Sequence, residues 1–138
     1  AIEALDSLET SASMARDLNS LGRDEQSPVD VAARWAKLET GFVLDWLARQ
    51  ARLVAIAQSA GRERATGVTV DKSVLRRIDR RNLFCYLDII NRLRGQPSGS
   101  FNVQLALEGL LIDWTEGLAN CGAEAPGSGI NLMTAAHR

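Results

Sequence analysis

The densest run of chemistry-bearing side chains is Arg76-Arg77-Ile78-Asp79-Arg80-Arg81, with Arg92 further on. Guanidinium groups at such spacing suit phosphates, because each presents a planar fork of donors. Asp79 and Asp88 are interspersed, however, and no aromatic residue alternates with the arginines to offer a stacking platform. The run therefore reads first as a solvated or subunit-facing helix surface. Arg76, Arg77, Arg80 and Arg81 are the candidate contacts to a partner subunit or to DNA.

Other candidate chemistry is sparse. There is no G-x-x-x-x-G-K-[ST] phosphate loop and no G-x-G-x-x-G. The single histidine, His137, is the penultimate residue, which leaves no His-based triad or His-rich metal site. Cys85 and Cys121 form no C-x-x-C pair, so a zinc or redox reading is not supported, and Cys85 is expected to be a buried, inert thiol. Asp113 and Glu116 are three apart, as are Asp6 and Glu9, and these pairs read as surface solubility rather than as acid–base partners. No catalytic residue, metal ligand or cofactor-binding residue is assigned, and no cofactor is expected.

The elements that would position these residues follow a helical period. Ile2, Leu5, Leu8, Ala12, Ala15, Leu18 and Leu21 recur every three or four residues, with Asp17 off the stripe. Ser27-Pro28 starts a second helix, with Ser27 as N-cap, Pro28 in the first turn and Val31, Trp35 and Leu38 inward. Thr40-Gly41 interrupts or bends the chain. The segment FVLDWLARQARLVAIAQSA that follows is apolar nearly all round, as expected of a central helix stopped at Gly61. GRERATGVTVD is a loop. Asp71 caps a short helix that turns Val74, Leu75 and Ile78 inward, and the pattern breaks near Arg80 to Asn82. LFCYLDIINRL then puts Leu83, Leu87 and Ile90 on one face, with Phe84 and Tyr86 flanking. GQPSGS is a connection, and Asn102 or Ser100 caps a last helix running to about Ala119.

The fold class expected is all-α, a single bundle of five or six helices spanning 1–119, with a flexible tail over 120–138. Its core should include Trp35, Trp46, Leu47, Leu83, Leu87, Leu107, Leu111 and Trp114. A chain of 138 residues can bury such a core without staples. Its net charge of −1 gives no global case for nucleic acid. No signal peptide or membrane span is expected, since AIEALDSLET is acidic and Asp45, Arg49 and Arg52 break the longest apolar run. The composition suits a cytoplasmic protein. The chain begins at Ala1, compatible with processing or with a piece of a longer protein.

Three segments, PVDVAARWAK (28–37), LFCYLDIINRLRGQPSGSFN (83–102) and VQLALEGLLIDW (103–114), occur in an order that resembles the C-terminal domain of the delta prime subunit of the bacterial DNA polymerase III clamp loader. In that family a helix ending in Leu-Arg leads through a polar turn to Asn. A helix patterned Leu-x-x-Glu-x-Leu-Leu-x-x-Trp follows. Here those positions are Asn102, Leu105, Glu108, Leu110, Leu111 and Trp114. The resemblance covers residues 28 to 118. It implies a collar domain that holds delta prime beside delta and gamma or tau in the ring during DNA replication, reaching DNA through the complex. The family's AAA+ domains, zinc-binding cysteines and ATP-contacting arginine belong to an N-terminal part without counterpart here, so none is carried over. The domain is expected to have no activity of its own, any polymerase activity belonging to the holoenzyme. The alternative reading is a helical nucleic-acid-binding domain using the Arg76–Arg81 run.

Overall fold

In a computed structural model, residues 2–59, 70–97 and 99–121 are described. Among them the structure is all-helical, with six α-helices and no strand: α1 (Ile2–Gly22), α2 (Pro28–Trp35), α3 (Thr40–Ser59), α4 (Lys72–Arg77), α5 (Leu83–Arg94) and α6 (Val103–Thr115). A 3-10 turn over Arg80–Asn82 breaks the chain between α4 and α5, where the apolar period also breaks. No described helix is long and apolar enough to cross a membrane. The expected loop at 60–69, with its stop at Gly61, lies outside the described residues. So do His137 with the chain after Cys121, and the side chains of Ile2, Leu5 and Asp6.

The helix termini show which sequence signals act. Ser27 has the extended backbone of an N-cap, but its hydroxyl makes no capping bond; the work falls to its carbonyl, which accepts from Val31 N–H at 3.1 Å. Thr40-Gly41 does not bend the chain. It opens α3, because the Glu39 carboxylate accepts from the N–H groups of Gly41 and Phe42 at 3.1 and 2.7 Å. Asn102 rather than Ser100 caps α6, its Oδ1 accepting from Leu105 N–H at 3.0 Å.

The C-terminus of α6 falls earlier than the sequence period suggests. Leu118 N–H donates to Asp113 C=O at 2.9 Å and Gly117 N–H to Trp114 C=O at 2.9 Å, the paired bonds of a Schellman motif. Gly117 has φ +65°, and a Cβ there would lie 2.5 Å from the Arg77 carbonyl oxygen. The turn runs on to Cys121, which is buried in the core.

The core gathers from all six helices. α6 packs mainly on α2, α3 on α5, and α1 touches both α6 and α4. Trp35, Trp46, Leu47, Leu83, Leu107, Leu111 and Trp114 are buried. Leu87 is half-buried, because α5 is rotated from the expected face: Tyr86 is fully enclosed, donating its hydroxyl to Leu110 C=O at 2.7 Å and lying 6.3 Å from the Trp114 ring. A phenol that finds an acceptor can occupy a core position that an aliphatic pattern assigns to leucine. Trp35 and Trp46 meet edge to face at 5.9 Å, and Trp114 Nε1 donates to Leu18 C=O at 2.9 Å, so all three indoles are core groups.

In α1 the inward residues are Met14, Asp17, Leu18 and Leu21, while Leu8 is exposed. The sequence stripe put Asp17 outside; the structure puts it inside because three donors converge on it. Trp35 Nε1, Arg34 Nη2 and Gln26 Nε2 reach its carboxylate at 3.0, 2.9 and 3.0 Å. A buried carboxylate is tolerated when it is so bonded.

Candidate interaction surface

The basic run is not one surface. Arg77 points back into the fold, its Nη1 donating to Gly22 C=O and its Nη2 lying 3.5 Å from Thr115 C=O. It ties the ends of α1 and α6 to α4 and is spent as a structural clamp. Arg76 is exposed and has an interaction of its own. Arg92 pairs with Asp88 at 3.0 Å, one turn away. Arg80 and Arg81 lie exposed in the 3-10 turn. Asp79 accepts from Arg81 N–H at 3.0 Å and holds that turn, with the Arg81 Nε at 3.5 Å. The five arginines counted in sequence thus fail to converge, since the break at Asp79 turns the chain and salt bridges take up two of them.

The polar groups inside the bundle look inward. Asp113, expected at the surface beside Glu116, is buried, because α6 turns it toward α5 and the closing Schellman turn covers it. Its Oδ2 has no hydrogen-bond partner among the described residues. Burial, and next the Glu116 charge, push its pKa up to about 6. Burial also pushes the Tyr86 phenol well above its ordinary value, with the Asp113 charge adding to it. Cys85 is half-buried rather than enclosed; Cys121 is buried. The Cys121 thiol is raised far above its usual range by burial first and by the neighbouring Cys85 second, so it stays protonated and unreactive.

Two open clefts lie among the described residues. The larger, about 650 Å³, is bounded by the start of α3, the end of α5 and the connection to α6, with Phe42, Asp45, Arg94 and Phe101 in its walls. The smaller, about 290 Å³, lies by Asp17 and Trp35. Asp113 lines neither. Asp45 and Arg94 are paired at 2.8 Å across the larger cleft. Asp17 in the smaller already accepts from three donors. No group of three or more His, Cys, Asp or Glu side chains that could hold a metal ion is found among the described residues.

What remains outward is apolar. On α6, Leu107, Leu110, Leu111 and Trp114 are buried, while Leu105 and Ile112 stay 47% and 39% exposed. They are two turns apart on one face, beside the row of the exposed Gln104–Glu108 bond of 3.4 Å. Phe84 on α5 and Ile56 on α3 are also exposed. By sequence Ile56 falls in a helix apolar nearly all round and Phe84 beside a core face. Only the charged spacing of Arg49 and Arg52 hinted at an outer side to α3. No family model matches the chain, and no curated protein or solved structure is significantly similar to it.

Proposed function

We propose that this chain is a non-catalytic subunit-assembly domain: the helical collar domain of a clamp-loader delta prime subunit, holding that subunit in its ring during DNA replication. The observation that carries the reading is the outer face of α6. Leu105 and Ile112 are large, apolar and exposed on a helix whose opposite side is core. A neighbouring helix would cover such a pair, as interface centres are apolar with polar rims. The order of the three resembling segments supports the same reading. The partners would then be delta and gamma or tau, with DNA reached through the complex and the cytoplasm as the location.

The alternative, nucleic-acid binding through Arg76–Arg81, is less favoured. Arg77 is committed to Gly22 and Thr115, and Arg81 is tethered to Asp79. The test is co-expression of the full chain with clamp-loader gamma and delta subunits, followed by size exclusion. The wild type should co-elute with them. A Leu105→Glu, Ile112→Glu double variant of unchanged helicity should elute alone. Failure of the wild type to co-elute, or co-elution of the variant, overturns the reading.

A further inference from the structure

A second exposed patch is assembled from two helices far apart in sequence. α3 and α5 run antiparallel. Near one end Arg94 Nη2 pairs with Asp45 at 2.8 Å; at the other, Gln58 Nε2 donates to the Leu75 and Ile78 carbonyls just before α5 begins, at 2.9 and 3.2 Å. Along α3 the outward stripe is Asp45, Arg49, Arg52 and Ile56, its helical spacing marked by the Asp45–Arg49 ion pair at 3.1 Å. Along α5 it is Phe84, Asp88 and Asn91, and Asn91 Oδ1 accepts from Arg94 at 3.0 Å. The two stripes therefore meet at Asp45, Arg94 and Asn91. Ile56 and Phe84 each lie about three turns from that junction, roughly 15 Å along their helices, which brings them level with each other.

Phe84 is 72% exposed and Ile56 57%, the two most exposed large apolar side chains of these helices. Their surroundings are basic. Arg80 and Arg81 precede Phe84 by four and three residues in the 3-10 turn, and Arg52 precedes Ile56 by one turn. Arg52 and Arg80 have no ion-pair partner among the described residues, and Arg81 is only loosely held by Asp79 at 3.5 Å. Asp88 is already neutralised by Arg92. An apolar centre with guanidinium groups around it, two of them without an ion pair among the described residues, is the inverse of an acidic segment carrying apolar anchors.

We propose that the Ile56–Phe84 patch docks an acidic peptide segment of a partner protein, whose apolar side chains cover Phe84 and Ile56 while its carboxylates meet Arg52, Arg80 and Arg81. Aromatic and arginine side chains are the groups that dominate such contacts. Single-stranded nucleic acid fits the patch less well. Ile56 offers no face for a base to stack on, and a strand needs a row of cations longer than this patch supplies. The proposal is independent of the α6 face, which uses other residues.

The experiment is fluorescence anisotropy with the full chain and a labelled synthetic peptide of Asp and Glu residues interrupted by Leu and Phe. Controls are an equally acidic peptide with Gly in place of Leu and Phe, and a labelled single-stranded oligonucleotide. Binding of the first peptide should weaken as salt rises. Phe84→Ala and Arg80→Glu should each lower its affinity by about tenfold, and both positions are exposed enough to leave the fold intact. The acidic Gly peptide and the oligonucleotide should bind at least as weakly as those variants do. No binding of the first peptide, equal binding of the Gly peptide, tighter binding of the oligonucleotide, or indifference to both substitutions overturns the proposal.

Discussion

The indole N–H of Trp35 donates to the Asp17 carboxylate at 3.0 Å inside the bundle, joining α1 to α2 by a charged acceptor where sequence period alone would place a hydrophobe. The other oxygen of Asp17 accepts from Arg34 and Gln26, so both oxygens are bonded. Asp17→Ala leaves the Trp35 donor buried without a partner, and the expected loss is about 2–4 kcal/mol of folding stability. Trp35→Phe, which keeps most of the ring and removes its N–H, should cost less, about 1–2 kcal/mol. Urea denaturation of both single variants and the double variant measures the pair. A double-variant loss equal to the sum of the two would show that they are uncoupled.

Asp113 gives stability a pH dependence of unusual sign for a carboxylate. Its pKa is pushed up to about 6 in the fold by burial and by Glu116, from an ordinary value of 3.8. Below the unfolded value both states hold the proton, and the contribution of the group is at its most favourable. As pH rises from there through 6, the unfolded chain releases the proton first, so stability falls across that window and levels off above it. Tyr86 and Cys121 stay neutral beside Asp113 and supply no compensating positive charge. Asp113→Asn should be more stable than wild type at pH 8, by about 2 kcal/mol, with the difference shrinking toward pH 4. Melting temperatures of the two proteins across that range test this; a wild-type advantage that grows with pH would refute it.

Gly117 is the residue on which the end of α6 turns. It has φ +65° and its carbonyl accepts from Asp79 N–H at 2.7 Å, while a Cβ would meet the Arg77 carbonyl. Gly117→Ala should destabilise by about 2 kcal/mol or more, combining the left-handed backbone cost with a clash against main chain that cannot swing aside. Gly99, also at positive φ but with open space around its missing Cβ, should lose less on the same substitution. Thermal melts of the two alanine variants compare them directly.

Neighbouring arginines of one run should behave differently. Arg77→Ala removes the donor to Gly22 C=O, and the expected cost is about 1–3 kcal/mol. Arg80→Ala touches an exposed group without an ion-pair partner among the described residues, and should change stability by less than about 0.5 kcal/mol. Equal losses in chemical denaturation would mean that Arg77 is no clamp.

Much of the architecture was legible in the chain itself. Apolar residues at three- and four-residue spacing, broken by GRDEQS and GQPSGS, determine a helical bundle and place Trp35, Trp46 and Trp114 on three of its helices, because a helix with an apolar face must bury it. The break at Asp79 and the cap at Asn102 are local chemistry, and local chemistry can be read one residue at a time. Only the tertiary structure decided which side of each helix faces in. It enclosed Asp17 because donors from α2 and its preceding loop converge there, and it enclosed Asp113 because a turn closes over it. It chose Tyr86 over Leu87 because Leu110 offers an acceptor. It also left Ile56 and Phe84 exposed and divided Arg77 from Arg80. Such outcomes depend on partners tens of residues away, and periodicity carries no information about partners.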